Sequence, residues 1–279
     1  MSFGVHAPTT LVLIAITLVY WLRWIQLRRV LASTLSAWRL LAFVSAVFVL
    51  WAAVGSPLAA LDHRLLLFHM VQHLLLMTVA APLILAAEPA IIFLHGLPLR
   101  LVPANPVFCW LASTAVVIGW HVPVVFQLGM QSETWHEIEQ ASFFGAGLLF
   151  WSPLIQPWPS FAKWSGWSAP LYLFLATLPC DVLSAFLTFC DRVVYPHYLH
   201  ANSMFGMSPL GDQEFAGALM WVWVTFAYLS PAAVITIQLL SPRRSVLGID
   251  KSTEHAHPTL DPRLLRANNT RTREWASRD

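Results

Sequence analysis

The sequence predicts an all-α membrane protein of seven transmembrane helices, and three observations lead there. Apolar residues fill 57% of the 279 positions, charged residues only 11%, and the mean hydropathy is +0.63, well outside the balance of a soluble domain. Apolar runs recur at roughly 8–27, 39–60, 65–87, 105–126, 138–158, 169–190 and 215–240, each about long enough to cross a hydrocarbon core of ~30 Å. The basic residues then sort by side. Arg23, Arg28, Arg29 and Arg39 lie between the first two runs, Arg100 after the third, Lys163 after the fifth and eight more beyond the seventh, which leaves Arg64 and Arg192 for the other face. Basic loops stay cytoplasmic, so the N-terminus is expected outside and the C-terminus in the cytoplasm, as a multi-pass protein of the inner (plasma) membrane.

Each run has its own character. Residues 1–8 carry no Lys or Arg, so span 1 lacks the basic flank of a cleaved signal and is read as retained. Span 2 is uniformly apolar. Span 3 contains "FHMVQHLLLMTVAAP" at 68–82, with His69 and His73 in a stretch free of lysine, arginine and carboxylate. Span 4 ends in "GWHVPVVF" with His121, and span 5 is introduced by "WHEIEQ", which holds His136, Glu139 and Gln140. Span 6 buries Asp181 in "LPCDVLSAF", a costly residue to place in lipid, and span 7 follows Asp212 and Gln213. The domain division is 1–242 for the helices and 243–279 for a polar tail whose composition suits disorder; its His255 and His257 are read as a solvated pair.

Several function classes fall away. The formal net charge of +2 comes from the tail and inner loops, where it meets anionic headgroups, so membrane lipid is the expected neighbour and nucleic acid is not. Cys109, Cys180 and Cys190 form no CxxC pair and read as small buried residues. Without a Walker, GxGxxG or HExxH motif, nucleotide hydrolysis and zincin chemistry lack support. No repeat of the kind that marks many transporters is visible, and the chain is not expected to be an enzyme.

The histidines remain. Residues four apart share a helix face with Cβ atoms about 6 Å apart, so His69 and His73 can address one point. At about 1.5 Å per residue they lie roughly 6 and 12 Å below the outer end of span 3, and His121 lies at a comparable depth on span 4. Three imidazoles at one level make a candidate metal centre, with His136 on the same side; each could instead serve as interhelical glue. Imidazole suits zinc, copper, iron and nickel, while thioethers such as those of Met70, Met77 and Met220 favour Cu(I). Asp212 or Gln213 can cap a helix or orient a ligating histidine.

The stretches "HMVQHLLLMTVAAPLIL", "EP" at 88–89, "WHVP" at 120–123, "WHEIEQASFFGAGLLFW" at 135–151 and "SPLGDQEFAGALMWV" at 208–222 resemble the CtaG-like cytochrome c oxidase assembly factors of bacteria. The resemblance covers residues 8–240. It implies a seven-span protein needed to make active haem–copper oxidase, with copper as cargo and oxidase subunits or other assembly factors as partners. It marks His69, His73, His121, Asp212, Gln213, Gly217, Met220 and Trp221, and His136 more weakly. Where such proteins often carry a second histidine, this chain has Gln140. The expected metal ligands are therefore His69, His73, His121 and His136, with Asp212, Gln213, Glu139 and Met220 behind them. A haem-binding membrane electron carrier and a metal-free assembly scaffold are the competing readings; a Soret band near 400–430 nm would mark haem.

The topology has a direct check. A cysteine placed at Ser132 should react with a membrane-impermeant thiol reagent in intact cells, and one placed at Ser252 should be shielded. The opposite pattern would invert the orientation.

Overall fold

The computed structural model describes residues 7–29, 36–57, 59–93, 105–155, 166–200 and 206–241, and among these every regular element is a helix or helical turn. Arg100, Lys163, His95 and the tail with His255 and His257 lie outside the described residues. The helices are α1 (Ala7–Arg28), α2 (Ala37–Val54), α3 (Leu66–Ala87), α4 (Pro89–Phe93), α5 (Pro106–His121), α6 (Pro123–Gln131), α7 (Glu133–Trp151), α8 (Ser168–Phe189) and α9 (Pro209–Leu240). Up to Leu239, the penultimate residue of α9, they belong to one compact unit.

Five helices, α1, α2, α3, α8 and α9, are long and apolar enough to cross a membrane, and α5 with α6 makes a sixth if that bent pair counts as one span. The bend is 74°, and its cause is local. Pro123 starts α6 and forces the residue before it out of the helical region, so Val122 is extended at φ −66° and ψ 124°. The expected straight span over 105–126 therefore stops at His121. The fifth expected span corresponds to α7, which starts earlier, at Glu133, and carries Glu133, Glu137 and Glu139. The seventh also starts earlier, placing Asp212 and Gln213 inside the first turns of α9.

One cluster joins α1, α2 and the end of α3. Tyr20 stacks on Phe43 with centroids 3.7 Å apart and donates its hydroxyl to the Ala87 carbonyl at 3.1 Å. Glu88 closes α3 in the left-handed region at φ 48°, a conformation that costs a non-glycine residue free energy; its carboxylate reaches Arg39 at 2.8 Å. The larger core lies among α3, α5, α7, α8 and α9, with Met70, Phe143, Phe150, Leu173 and Tyr228 buried.

α3 is the organising helix, and its neighbours hold it by defined contacts. Its N-terminus is capped across the fold, because Asp212 on α9 accepts from the Leu66 N–H at 2.6 Å and the Leu67 N–H at 3.1 Å. A carboxylate there satisfies orphan donors and complements the helix dipole. Past His73 the helix widens into a π segment, Leu75–Ala80, a feature common beside functional sites. The Trp151 indole donates to the Met77 carbonyl at 3.1 Å and the Trp223 indole to the Thr78 hydroxyl at 2.8 Å. Gly147 lets α7 come this close, since a Cβ there would lie 2.7 Å from the Met77 carbonyl oxygen and 2.8 Å from the Ala81 Cβ. Gly217 does the same for α9 against α8, where a Cβ would meet Thr188 Oγ1 at 2.6 Å.

Two substitutions test this packing. Gly147→Ala should lower the thermal midpoint of the detergent-purified protein by the equivalent of about 1–3 kcal/mol. Gly145→Ala, where a Cβ meets nothing within 4 Å, should be neutral or stabilising. Asp212→Ala should cost about 0.5–2 kcal/mol through loss of the cap, read from the same melts.

Candidate metal centre

Glu139 sits at the centre of the histidines. It projects from α7 one helical turn after His136, its residue is wholly buried, and its carboxylate lies 3.3 Å from His69 Nε2, 3.7 Å from His73 Nε2 and 3.4 Å from His136 Nδ1. The i,i+4 spacing on α3 brings the His69 and His73 rings to 4.3 Å, and His136 approaches His69 to 5.8 Å. None of these approaches has hydrogen-bond geometry: both Glu139 oxygens, His136 Nδ1 and all four ring nitrogens of His69 and His73 are buried without a hydrogen-bond partner. Polar atoms in that condition are uncommon and costly. Their spacing suits a metal, since ligands at bonds of about 2.0–2.1 Å in a tetrahedron stand on the order of 3.4 Å apart.

Space for the carboxylate comes from α6. A Cβ at Gly129 would fall 2.6 Å from Glu139 Oε2, so any side chain there would collide with the centre. The Pro123 bend, which turns α6 away from α5, is what brings Gly129 to this position.

A second donor group adjoins the first through His136. Asp62, in the turn before α3, lies 2.8 Å from His136 Nε2 through Oδ2, while His63 Nε2 is 3.9 Å from its Oδ1. A carboxylate only accepts, so His136 Nε2 carries a hydrogen and donates to Asp62. Asp62 also accepts from the His63 N–H at 2.6 Å, and its carbonyl accepts from the Tyr198 hydroxyl at 2.7 Å. Burial opposes ionisation of Asp62, but the hydrogen bond and charge of His136 outweigh it and hold the carboxyl below its ordinary value. The pairing therefore contributes at neutral pH and is lost as the pH falls through that lowered value. Asp62, His63 and His136 line a cavity of about 670 Å³. His63 is exposed and Glu139 is wholly buried, so the group at the cavity reaches the surface while its neighbour, adjoining it through His136, lies in the interior.

The expected site residues thus divide. His69, His73 and His136 converge, and Glu139 stands among them as a candidate ligand, one step nearer than expected. His121 and Met220 line a different, smaller cavity on the far side of His73. Asp212 binds backbone at the head of α3, and Gln213 accepts from the Val194 N–H at 2.7 Å and donates to the Arg192 and Leu187 carbonyls. Asp212 thus braces the helix that bears His69 and His73, Gln213 ties α9 to the end of α8 and the loop after it, and neither is bonded to an imidazole. Asp181 belongs to neither donor group. Asp62 and Gly129 were missed: a lone aspartate in a loop and a glycine in an apolar segment give no signal until the chain is folded.

No curated protein and no solved structure matches the chain. The family model described as cytochrome c oxidase caa3 assembly factor (Caa3_CtaG) matches residues 18–241, a stretch that holds α2 to α9 and both donor groups. The chain belongs to the cytochrome c oxidase caa3 assembly factor family.

Proposed function

We propose that this assembly factor holds copper for the oxidase at Glu139, His69, His73 and His136, with Asp62 and His63 receiving the ion at the mouth. The observation that carries the reading is Glu139, a wholly buried carboxylate with three imidazole nitrogens within 3.7 Å and no hydrogen-bond partner of its own. A metal supplies the positive charge and the directed bonds that this arrangement lacks. Carboxylate and imidazole alone suit zinc and iron as well; the family's part in assembling a haem–copper oxidase favours copper. The chain acts as a binding protein rather than a catalyst, and its partners are oxidase subunits or other assembly factors.

The topology that serves this reading has seven spans in the inner membrane, with α5 and α6 counted together and α7 as the remaining crossing. Glu139 and His136 are buried, so α7 keeps these polar residues out of lipid. With the N-terminus outside, the 670 Å³ cavity opens on the outer face, and copper enters from there.

Glu139→Gln keeps the shape and removes the charge. It should lower copper content of the detergent-purified protein and oxidase activity in cells together, while the chain still accumulates in the membrane. Normal copper and full oxidase activity in that variant would overturn the proposal. Gly129→Ala replaces no ligand but its Cβ displaces the Glu139 carboxylate, so it should reduce copper affinity by about 10- to 100-fold, as loss of an outer partner does; chelator competition reads this directly.

A further inference from the structure

The smaller cavity beyond His73 has a different donor chemistry. Its volume is about 30 Å³, and its lining includes His73, His121, Met70, Met77, Met220 and Cys180, with no carboxylate. Three of the chain's seven methionines meet here from two helices, each less than a tenth exposed. Met70, His73 and Met77 fall at i, i+3 and i+7 along α3, and the π segment that begins at Leu75 carries the last of them.

The imidazoles at this cavity are short of partners. His121 Nδ1 lies 2.7 Å from the Val117 carbonyl oxygen, which can only accept, so Nδ1 holds the hydrogen and Nε2 is left with a bare lone pair. That nitrogen is buried and has no partner, as are both nitrogens of His73; the two residues are 8% and 5% exposed. Packing alone explains a methionine, but it leaves an unpaired acceptor in a dry interior at a cost. A cation at the cavity removes that cost.

We infer that this cavity is a second, soft metal site that takes Cu(I), distinct from the carboxylate centre. Thioether and thiol sulfur with imidazole select Cu(I) among the metals that imidazole alone admits. Charge points the same way, because an ion of charge one is far less costly to bury without a counter-carboxylate than a divalent ion. The inference rests on the proposed function only in taking copper as the cargo. His73 belongs to both donor sets, through Nε2 to Glu139 and as part of the cavity wall, so the two sites adjoin.

The test uses the full chain in detergent, loaded anaerobically with Cu(I) against a competing Cu(I) chelator, together with X-ray absorption at the copper edge. Wild-type protein should show sulfur as well as nitrogen scatterers. The volume-conserving triple variant Met70→Leu/Met77→Leu/Met220→Leu removes proposed ligands, so it should lose at least the roughly 100-fold in Cu(I) affinity that loss of an outer partner can cost, and should keep Cu(II) binding. Glu139→Gln should do the reverse. Absence of sulfur scatterers from wild-type protein, which needs no variant to fold, overturns the inference, as does an unchanged Cu(I) affinity in the triple variant. If Glu139→Gln retains all copper while sulfur ligation is present, the carboxylate proposal falls and this one stands.

Discussion

A carboxylate enclosed by imidazoles is the constraint around which the rest of this fold is arranged. An ionised group deep in an apolar bundle is tolerated only when compensated, and among the described residues no lysine or arginine pairs with Glu139. Its compensation must come from histidines, which act as cations when protonated and as ligands when neutral. Both outcomes need the same convergence of three rings on one carboxylate, and that convergence sets where α3, α6 and α7 run.

The helix carrying two of those rings is held at several points along its length. α3 receives a carboxylate cap at its head from α9, indole and hydroxyl hydrogen bonds along its widened middle, and a glycine-mediated approach of α7. A donor site tolerates errors of only a few tenths of an ångström in ligand position. Membrane helices gain little from the hydrophobic effect against one another, so that positional accuracy rests on polar contacts and on small residues.

Much of this was legible in the sequence. The apolar runs located the helices because lipid imposes a length, and the pair His69/His73 stood out because imidazole is expensive there. Periodicity also placed the two rings on one face. It could not say which neighbour they face, since Glu139 reads as a helix-start residue in "WHEIEQ" and its burial depends on the turn between α6 and α7. Matching depths suggested that His121 would join His69 and His73, yet the proline at 123 ends α5 at that residue and leaves it beside the sulfur-lined cavity. Asp212 was readable as a cap, but not as the cap of a helix almost 150 residues away in sequence.

α9 extends over 32 residues, about 48 Å at 1.5 Å per residue. Its first six include Asp212, Gln213 and Glu214 and belong at headgroup level, which leaves about 39 Å of apolar helix for about 30 Å of hydrocarbon. Tilt alone would have to reach about 40°, the upper end of the range seen for membrane helices. The lean of α9 is therefore sensitive to bilayer thickness, and Asp212 at its head is bonded to the start of α3. Acyl-chain length thus bears mechanically on the helix that carries His69 and His73: a thinner membrane demands more lean and pulls on the cap, and a thicker one relaxes it.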